Sequence, residues 1–352
     1  MLNRLHPASA TSRKVAETLR GTCNVHSLYA ATKAHIRRLF KSREVDAINL
    51  KLDGLRSANY VVIMVVRNEM RRLEHLIKYH QQIGFEHFIV VDNASTDETV
   101  ERLAKFQAVS LFKATGSYKN SRFGIDWINY LSSKYCVGKW VLHIDADEYF
   151  VYPGADTMGI DTLVSDLKSQ NRASMQCLMV DMYSENSTED NVVLDGENPL
   201  DVCPFFDRNG YYYEYEPTTN TTWIKGGVRS RIFFSDTKDG PALNKTPLVF
   251  WKSHYAFLKS SHQLWPYHLN GYPEENVWRP GGALLHFKFL SDFDFKVAEE
   301  IGRKQHTQEY TSYNVARKVK RETKYFDPDV SIPFKNWNSL SKLSAFNRSK
   351  LL

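Results

Sequence analysis

Four short apolar runs, each followed abruptly by polar residues, constrain the fold of this 352-residue chain more than any other feature. The runs are rich in β-branched residues and too short for helices, so they are typical of strands buried on both faces. Apolar residues at helical spacing lie between the runs. This alternation predicts an α/β fold with a mostly parallel central sheet and helices on both faces. The predicted strands are Tyr60–Val66, His87–Val91, Val109–Phe112 and Trp140–Ile144.

Polar clusters directly follow three of these predicted strands. The carboxyl ends of parallel strands share one edge of a sheet, and open α/β sheets bind their ligands at that edge. The clusters therefore predict a single ligand site built from residues far apart in the sequence. They comprise Arg67, Asn68 and Glu69 after the first strand, Asp92 and Asn93 after the second, and Asp145, Asp147 and Glu148 after the fourth.

Asp145 and Asp147 form an Asp-x-Asp pair at the end of a buried strand. Carboxylate oxygens suit a hard divalent cation such as Mg²⁺ or Mn²⁺, and such a cation could carry a phosphate. Asp-x-Asp pairs also arise by chance, and an Asp after a strand can cap a helix. The metal hypothesis therefore depends on the companion clusters. Neither a glycine-rich dinucleotide motif nor a P-loop follows the first strand.

The composition is that of an ordinary globular protein with a mild basic excess. Its 46 Lys and Arg against 40 Asp and Glu give a net charge of +6. This charge fits a phosphorylated substrate or an anionic membrane surface, and no nucleic-acid-binding signature is present, so we expect no nucleic-acid partner. The first twenty residues lack a signal-peptide core, and no apolar run reaches the ~20 residues of a membrane span. We therefore expect a cytoplasmic protein, with peripheral contact to the inner face of the membrane as an option.

The four cysteines form no Cys-x-x-Cys motif, which favours buried free thiols in a reducing compartment. They are Cys23, Cys136, Cys177 and Cys203.

Flanking elements complete the prediction. Residues 30–40 read as a short basic amphipathic helix, which could touch an anionic membrane or pack on the domain as a solvated helix. Residues 184–222 have few periodic apolar positions and are predicted to form a substrate loop. The tail from Lys335 is expected to be loose. The remaining predicted elements are helices at 99–106 (capped by Thr96), 121–135, 162–168 and 293–306, and strands at 174–182, 232–234, 248–251 and 283–289.

Five motifs, in order, resemble those of the GT-A glycosyltransferases of family 2 type. The likeness is strongest to the bacterial family 2-like branch, which is related to the family 92 galactosyltransferase-like proteins. The resemblance covers about residues 58–310. The motifs are Val-Val-Arg-Asn-Glu at 65–69, Val-Val-Asp-Asn-Ala-Ser-Thr-Asp at 90–97, His-Ile-Asp-Ala-Asp-Glu-Tyr-Phe at 143–150, Gly-Gly-x-Arg-x-Arg at 226–231 and Leu-Leu-His-Phe-Lys at 284–288.

The resemblance implies a GT-A domain at 58–310, with a nucleotide-binding half at 58–150 and an acceptor half at 151–310. Residues 1–57 would be a basic helical extension and 311–352 a tail. It implies transfer of a sugar from a nucleoside-diphosphate sugar, UDP-linked first of all, to a hydroxyl of a glycan or lipid-linked acceptor with inversion. The alternatives are a nucleotidyltransferase-like enzyme and a non-catalytic nucleotide-sugar-binding relative.

The same resemblance implies roles for individual residues. His286 would be a metal ligand, although a lone His on an apolar strand is otherwise typical of a core. Arg229 and Arg231 would contact phosphate, or else lie in a solvated turn. Mn²⁺ or Mg²⁺ would bind Asp145, Asp147 and His286. The donor would be bound by Arg67, Asn68, Glu69, Asp92, Asn93, Arg122, Asp145, Arg229, Arg231 and Lys288.

An inverting transferase also needs a general base for the acceptor hydroxyl. The acidic pair usual in family 2 enzymes is not visible in this sequence, which leaves inversion and retention both open. Four acids of the second half are candidates, and each could instead be a turn or cap residue. Asp207 is favoured, then Asp181; the others are Glu185 and Glu214.

Overall fold

The computed structural model describes residues 25–271, 281–303 and 324–343. Its strands are β1 Val45–Asn49, β2 Tyr60–Val66, β3 His87–Asp92, β4 Val109–Ala114, β5 Trp140–His143, β6 Glu148–Val151, β7 Ser174–Asp181, β8 Phe205–Asp207, β9 Tyr211–Glu216, β10 Thr221–Gly226, β11 Asn244–Phe250, β12 Ala256–Lys259, β13 Gln263–Trp265, β14 Gly282–His286 and β15 Ser331–Pro333. Its helices are α1 Val25–Lys41, α2 Leu52–Ser57, α3 Met70–Gln82, α4 Thr99–Leu103, α5 Ile125–Tyr135, α6 Ile160–Ser169, α7 Pro199–Val202, α8 Gly227–Phe233, α9 Phe293–Arg303 and α10 Trp337–Leu340.

A nine-stranded sheet forms the centre, in the order β1-β4-β3-β2-β5-β11-β7-β14-β6. Strands β4, β3, β2 and β5 run parallel to one another, and β14 runs parallel to β7. Strand β11 is antiparallel to both β5 and β7, so those two strands share one direction. Edge strands β1 and β6 are also reversed. The predicted mostly parallel α/β sheet is confirmed.

Strand β2 shows why its sequence is continuously apolar. Val62, Met64 and Val66 belong to the core on one face of the sheet, and Val61 and Ile63 belong to the core on the other. Each fully buried aliphatic side chain contributes roughly 1.5–3 kcal/mol relative to exposure. Helix α3 covers the first face and helix α5 the second, through residues three and four apart. These are Leu73, Leu76 and Ile77 of α3, and Ile125, Ile128 and Leu131 of α5.

The predicted strand at 232–234 is wrong. Gly226 has a φ of 136°, and a Cβ there would lie 2.2 Å from the carbonyl oxygen of Gly210. This turn, which only glycine allows, directs the chain from β10 into helix α8. The apolar residues at 232–234 then pack partly buried against a third core cluster around Tyr183 and Phe289. A run of three apolar residues cannot by itself distinguish a strand from a helix end.

Other boundaries also differ from the prediction. Thr96 does not cap helix α4, which begins at Thr99; the Thr96 N–H donates to the Asn68 side chain instead. Residues 184–222 contain helix α7, strands β8 and β9 and the start of β10. The tail is ordered as far as it is described, because Asn336 caps helix α10 and Leu340 is fully buried.

The N-terminal extension is joined to the sheet. Strand β1 pairs with β4, and helix α1, which contains the predicted helix 30–40, packs on α5. Cys136, Cys177 and Cys203 are buried free thiols, as predicted, whereas Cys23 lies outside the described residues.

Among the described residues, none of the helices combines the length and the apolar character that a membrane crossing requires.

Candidate active site

A cavity of about 670 Å³ opens at the edge of the sheet where β2, β5 and β14 end. The predicted clusters converge there because these strands share one direction. The cavity brings together most of the predicted site residues. Those in its lining are Arg67, Asn68, Glu69, Asn93, Asp145, Asp147, His286 and Lys288.

A chain of four charged side chains leads from the cavity into the core. The Nε2 atom of His286 lies 3.3 Å from an oxygen of Asp147. The other ring nitrogen of His286 lies 2.6 Å from a carboxylate oxygen of Asp181. The second oxygen of Asp181 accepts a 2.7 Å hydrogen bond from Arg229. Asp181 and Arg229 are buried, so they fix the orientation of the His286 ring.

These neighbours shift the pKa values of Asp147 and His286 in opposite directions. Burial acts to raise the pKa of Asp147, but His286, Arg72 and Lys288 hold it well below its usual range. Burial acts to lower the pKa of His286, but Asp147 and Asp181 raise it above the usual value. The position between two carboxylates therefore stabilises the charged imidazolium form of His286 relative to an ordinary histidine.

This raised pKa predicts a pH-dependent contribution of His286 to stability. A raised folded-state pKa stabilises the fold fully below the unfolded value of about 6.5, and this stabilisation is lost as pH rises through the folded value. In EDTA, the difference in unfolding free energy between wild type and His286→Gln should be largest at about pH 6, just below the unfolded pKa of histidine. It should shrink towards alkaline pH. Urea unfolding across this range measures it.

His143→Gln is the matched control for this series. Burial lowers the pKa of His143 to about 4, so this ring is neutral throughout the range. Linkage therefore predicts a change of the opposite sign: wild type should lose stability relative to His143→Gln as pH falls through the unfolded value of about 6.5, because only the unfolded state then binds the proton. A His286→Gln difference that is constant or grows with pH would show that His286 is not protonated in the metal-free fold.

The donor atoms of Asp147 and His286 fit a shared divalent cation. Two ligand atoms at right angles, each about 2.1 Å from a metal, lie about 3 Å apart. The observed separation is 3.3 Å, so both could bind one ion after His286 releases its proton. Within residues 25–271, 281–303 and 324–343, no group of three or more His, Cys, Asp or Glu side chains is arranged to hold a metal. Asp145 is therefore not arranged as a third ligand beside Asp147 and His286.

Lys245 explains why Asp145 stands apart. Its ammonium group is 4% exposed and donates a 3.0 Å hydrogen bond to Asp145 and another to the fully buried Glu148. Burial acts to raise the pKa of Asp145, but the Lys245 charge lowers it below its ordinary value. Burial also acts against the charged form of Lys245, yet the two carboxylates raise its pKa. The side chain of Asp145 remains half exposed to the cavity.

The loops after β2 and β3 are held by the same polar residues that the sequence predicts as ligands. Asn68 adopts a φ of 53°, and its side-chain oxygen accepts from the N–H of Thr96 at 2.7 Å. Asn93 is buried and donates to the carbonyls of residues 114 and 116. Both side chains therefore fix loop geometry. Asp92 accepts from the Ser95 N–H with one oxygen, while its other oxygen is buried with no hydrogen-bond partner in the described residues.

Helix α9 closes one side of the cavity through ion pairs with the loop after β2. Arg67 lies 3.4 Å from Glu299, and Lys296 lies 2.6 Å from Glu69. The buried Arg72 of helix α3 pairs with Asp292 just before α9. These contacts join segments more than two hundred residues apart, so the cavity wall depends on the tertiary fold.

Six predicted site residues lie outside the cavity lining: Asp92, Asp181, Asp207 and the three arginines Arg122, Arg229 and Arg231. Arg122 donates to Asp126 at 2.9 Å and to the carbonyl oxygen of Leu258, which ties helix α5 to β12. Arg231 makes two 2.9 Å hydrogen bonds to Asp207. Residues two apart on a helix point in nearly opposite directions. Arg229 therefore reaches Asp181 and, through it, His286, whereas Arg231 does not.

Sequence reasoning missed Lys245 and Arg72. Lys245 lies in an Asn-Lys-Thr triplet ahead of the predicted strand at 248–251, so no local pattern in the sequence marks it as buried. Arg72 lies on α3 three residues after Glu69, with which it forms a 3.7 Å ion pair. That spacing is detectable in the sequence once the helix start is known.

Residues 61–153 match the family model of glycosyl transferase family 2. The matched stretch contains strands β2 to β6 and the Asp-x-Asp pair, and it ends before His286. No curated protein sequence matches the chain significantly. The relation to family 92 stays a prediction.

Several solved structures match part of the chain. TarS of S. aureus (residues 1–349) is 20% identical, with 36% of each chain covered and a TM-score of 0.27. The mannosyltransferase PcManGT from Pyrobaculum calidifontis, in complex with GDP-Man and Mn²⁺, is 19% identical, with 48% of this chain and 47% of that chain covered and a TM-score of 0.27. Glucosyl-3-phosphoglycerate synthase from Mycobacterium tuberculosis, in complex with Mn²⁺, UDP-Glc and phosphoglyceric acid, is 14% identical, with 37% and 46% covered and a TM-score of 0.25. The chain thus spans about a third to a half of the length of these structures. Residues 61–153 are thus similar to glycosyl transferase family 2, in the stretch that holds three of the five sequence motifs.

Proposed function

We propose that this chain is a metal-dependent glycosyltransferase that transfers a sugar from a nucleoside-diphosphate sugar, a UDP-sugar first of all, to a hydroxyl of a glycan or lipid-linked acceptor. The observation that carries the proposal is the Asp147–His286 pair, which lies with Lys288 in a cavity at the carboxyl edge of the sheet. A diphosphate leaves readily only when its negative charge is neutralised. The family 2 match over residues 61–153 supports the same reaction.

Each residue near the pair has a distinct role in this proposal. When bound, Mn²⁺ or Mg²⁺ would neutralise the charge of the departing diphosphate. Asp147 and His286 would hold the ion, and Lys288, whose charge acts on Asp147, would contact the phosphate oxygens. Asp181 holds the His286 ring in place through the Nδ1 hydrogen bond, which makes it a positioning residue.

The nucleoside would lie against the loops after β2 and β3. Asp92 supplies a buried carboxylate oxygen that has no partner in the described residues, which suits a hydroxyl or N–H donor of the nucleoside. Asn68 and Glu69 line the same cavity wall. Asp145, half exposed and held by Lys245, would face the ribose.

We propose that transfer proceeds with inversion, which requires a base for the acceptor hydroxyl. Asp181 and Asp207 are both paired with arginine and lie outside the cavity lining. Their contacts suit structural roles better than the role of general base. Asp181 orients the His286 ring, and Asp207 anchors helix α8 through Arg231. The anomeric configuration of the product, measured by NMR, tests inversion.

A ligand screen by thermal unfolding tests the proposed function. The melting temperature of the full chain should rise with one class of UDP-, GDP- or dTDP-sugar in the presence of Mn²⁺, and not in EDTA. A ligand that binds only the folded state stabilises it by about 2.7 kcal/mol at a hundred times its Kd. The matching donor should then be hydrolysed or transferred. No shift with any of these donors would contradict the proposal.

A further inference from the structure

Helix α1 carries an exposed apolar stripe that the proposed sugar transfer does not use. Five large apolar side chains on this helix are between 49% and 67% exposed. At 100° per residue they fall, with Thr32 and Lys33, within an arc of about 140°. The opposite side of the helix, through Ser27, Ala31 and Ala34, is buried against the domain. The stripe consists of Leu28, Tyr29, Ile36, Leu39 and Phe40.

The charges of helix α1 itself are of one sign, and the next acid along the chain, Glu44, is paired with Lys41 at 2.6 Å. Helix α1 contains no Asp or Glu, whereas Lys33 lies within the stripe and Arg43 is exposed just beyond the helix. Arg37 and Arg38, at the sides of the helix, are bound to the domain: Arg37 pairs with Asp126 at 2.8 Å, and Arg38 donates to Ser133. The helix is therefore fixed in place, with its apolar and basic face outward.

From this face we propose that helix α1 docks the protein on an anionic lipid surface, with Tyr29, Ile36, Leu39 and Phe40 entering the headgroup region and Lys33 contacting lipid phosphates. A fixed amphipathic helix with apolar residues flanked by cations, and without acids, has the chemistry that binds such a surface.

Two other occupants fit the charges less well. Residues 1–24 carry four Lys or Arg and one Glu, so covering the stripe with this segment would bring positive charges together. A second copy of helix α1 would oppose Lys33 with its own positive charge. An anionic membrane alone complements both the apolar and the basic residues.

Helix α1 is hydrogen-bonded to a segment that borders the candidate active site. Arg37 donates a 2.5 Å hydrogen bond to the carbonyl oxygen of Asn120, two residues from Tyr118 in the cavity lining. The same guanidinium binds Asp126 at the start of helix α5. Docking would thus hold the cavity close to the lipid surface. The docking itself does not depend on the proposed sugar transfer, and it can be tested without a donor.

Co-sedimentation of the full chain with vesicles tests the docking surface. The chain should bind vesicles of equal parts phosphatidylglycerol and phosphatidylcholine, bind pure phosphatidylcholine more weakly, and lose binding as salt rises. The double variant L39E/F40E should reduce binding by about tenfold or more, because two exposed apolar contacts become charges of the wrong sign. Circular dichroism and melting temperature should match those of wild type, since both side chains are exposed.

The matched control is V192E/L194E, which replaces two apolar residues of similar exposure, 47% and 61%, in another part of the chain. It should bind vesicles like wild type. The proposal is overturned if wild type binds neither kind of vesicle, or if L39E/F40E binds as wild type does. It is equally overturned if wild type is a dimer that fails to bind vesicles and L39E/F40E is a monomer, because the stripe would then be a contact between copies.

Discussion

Replacing Asp147 with asparagine is expected to lower Mn²⁺-dependent sugar transfer by at least about 10²–10³-fold, the loss typical when one electrostatic group is removed from a reacting centre. Asparagine keeps the size of the side chain but removes the negative charge that lies 3.3 Å from His286. Mn²⁺ affinity, measured by titration with paramagnetic resonance detection, should fall in parallel. Transfer should be measured below the onset of unfolding of both proteins, because the substitution also removes a charge partner of His286 and so lowers stability.

Asp156→Asn is the control for this experiment. Asp156 is exposed in the turn before helix α6 and lies outside the cavity lining. Its substitution should leave both transfer and Mn²⁺ affinity unchanged. Full activity of Asp147→Asn would refute the metal assignment, whereas lost transfer with unchanged Mn²⁺ affinity would place the ion elsewhere.

Lys245→Met should cause the largest loss of stability of any single substitution near the site. Removing one partner of a buried ion pair typically costs about 3–5 kcal/mol, because the remaining charge is buried and uncompensated. Here the charge left behind is that of Glu148, which is fully buried, together with part of Asp145. For a chain of this size each kcal/mol lowers the melting temperature by roughly 2–4 °C or less. Urea unfolding measures the loss of free energy.

Two further variants make this result specific. Lys168→Met, at an exposed lysine of helix α6, should change stability by less than about 0.5 kcal/mol. The double variant K245M/E148Q should recover part of the loss, since it removes the stranded carboxylate charge along with its partner. Additive losses in the double variant would mean that Lys245 and Glu148 do not interact.

The framework of the site could be predicted from the sequence because its signals are local. A continuous apolar run rich in β-branched residues, such as Tyr60–Val66, favours a strand covered on both faces, and its abrupt polar end marks the edge of the sheet. The same argument placed the Asp145–Asp147 segment beside the loop after β2.

The contacts within the site could not be predicted, since they depend on strand order. Strand β11 lies between β5 and β7, and only that insertion brings Lys245 to Asp145, a hundred residues earlier in the chain. Likewise, the pairing of Arg229 with Asp181 and of Arg231 with Asp207 follows from helix α8, where the sequence predicts a turn at 226–231 followed by a strand at 232–234.

The position of β6 at the far edge of the sheet has a consequence for how this protein can evolve. Residues 148–151 follow β5 after only a few residues, yet they pair with β14, beyond β11 and β7. The two sequence halves are therefore interleaved within one sheet, and neither half has a complete set of strand partners of its own. A recombination event near residue 150 would therefore exchange part of a sheet rather than an independently folding unit. Changes in the loops that border the cavity would instead leave the strand pairing intact.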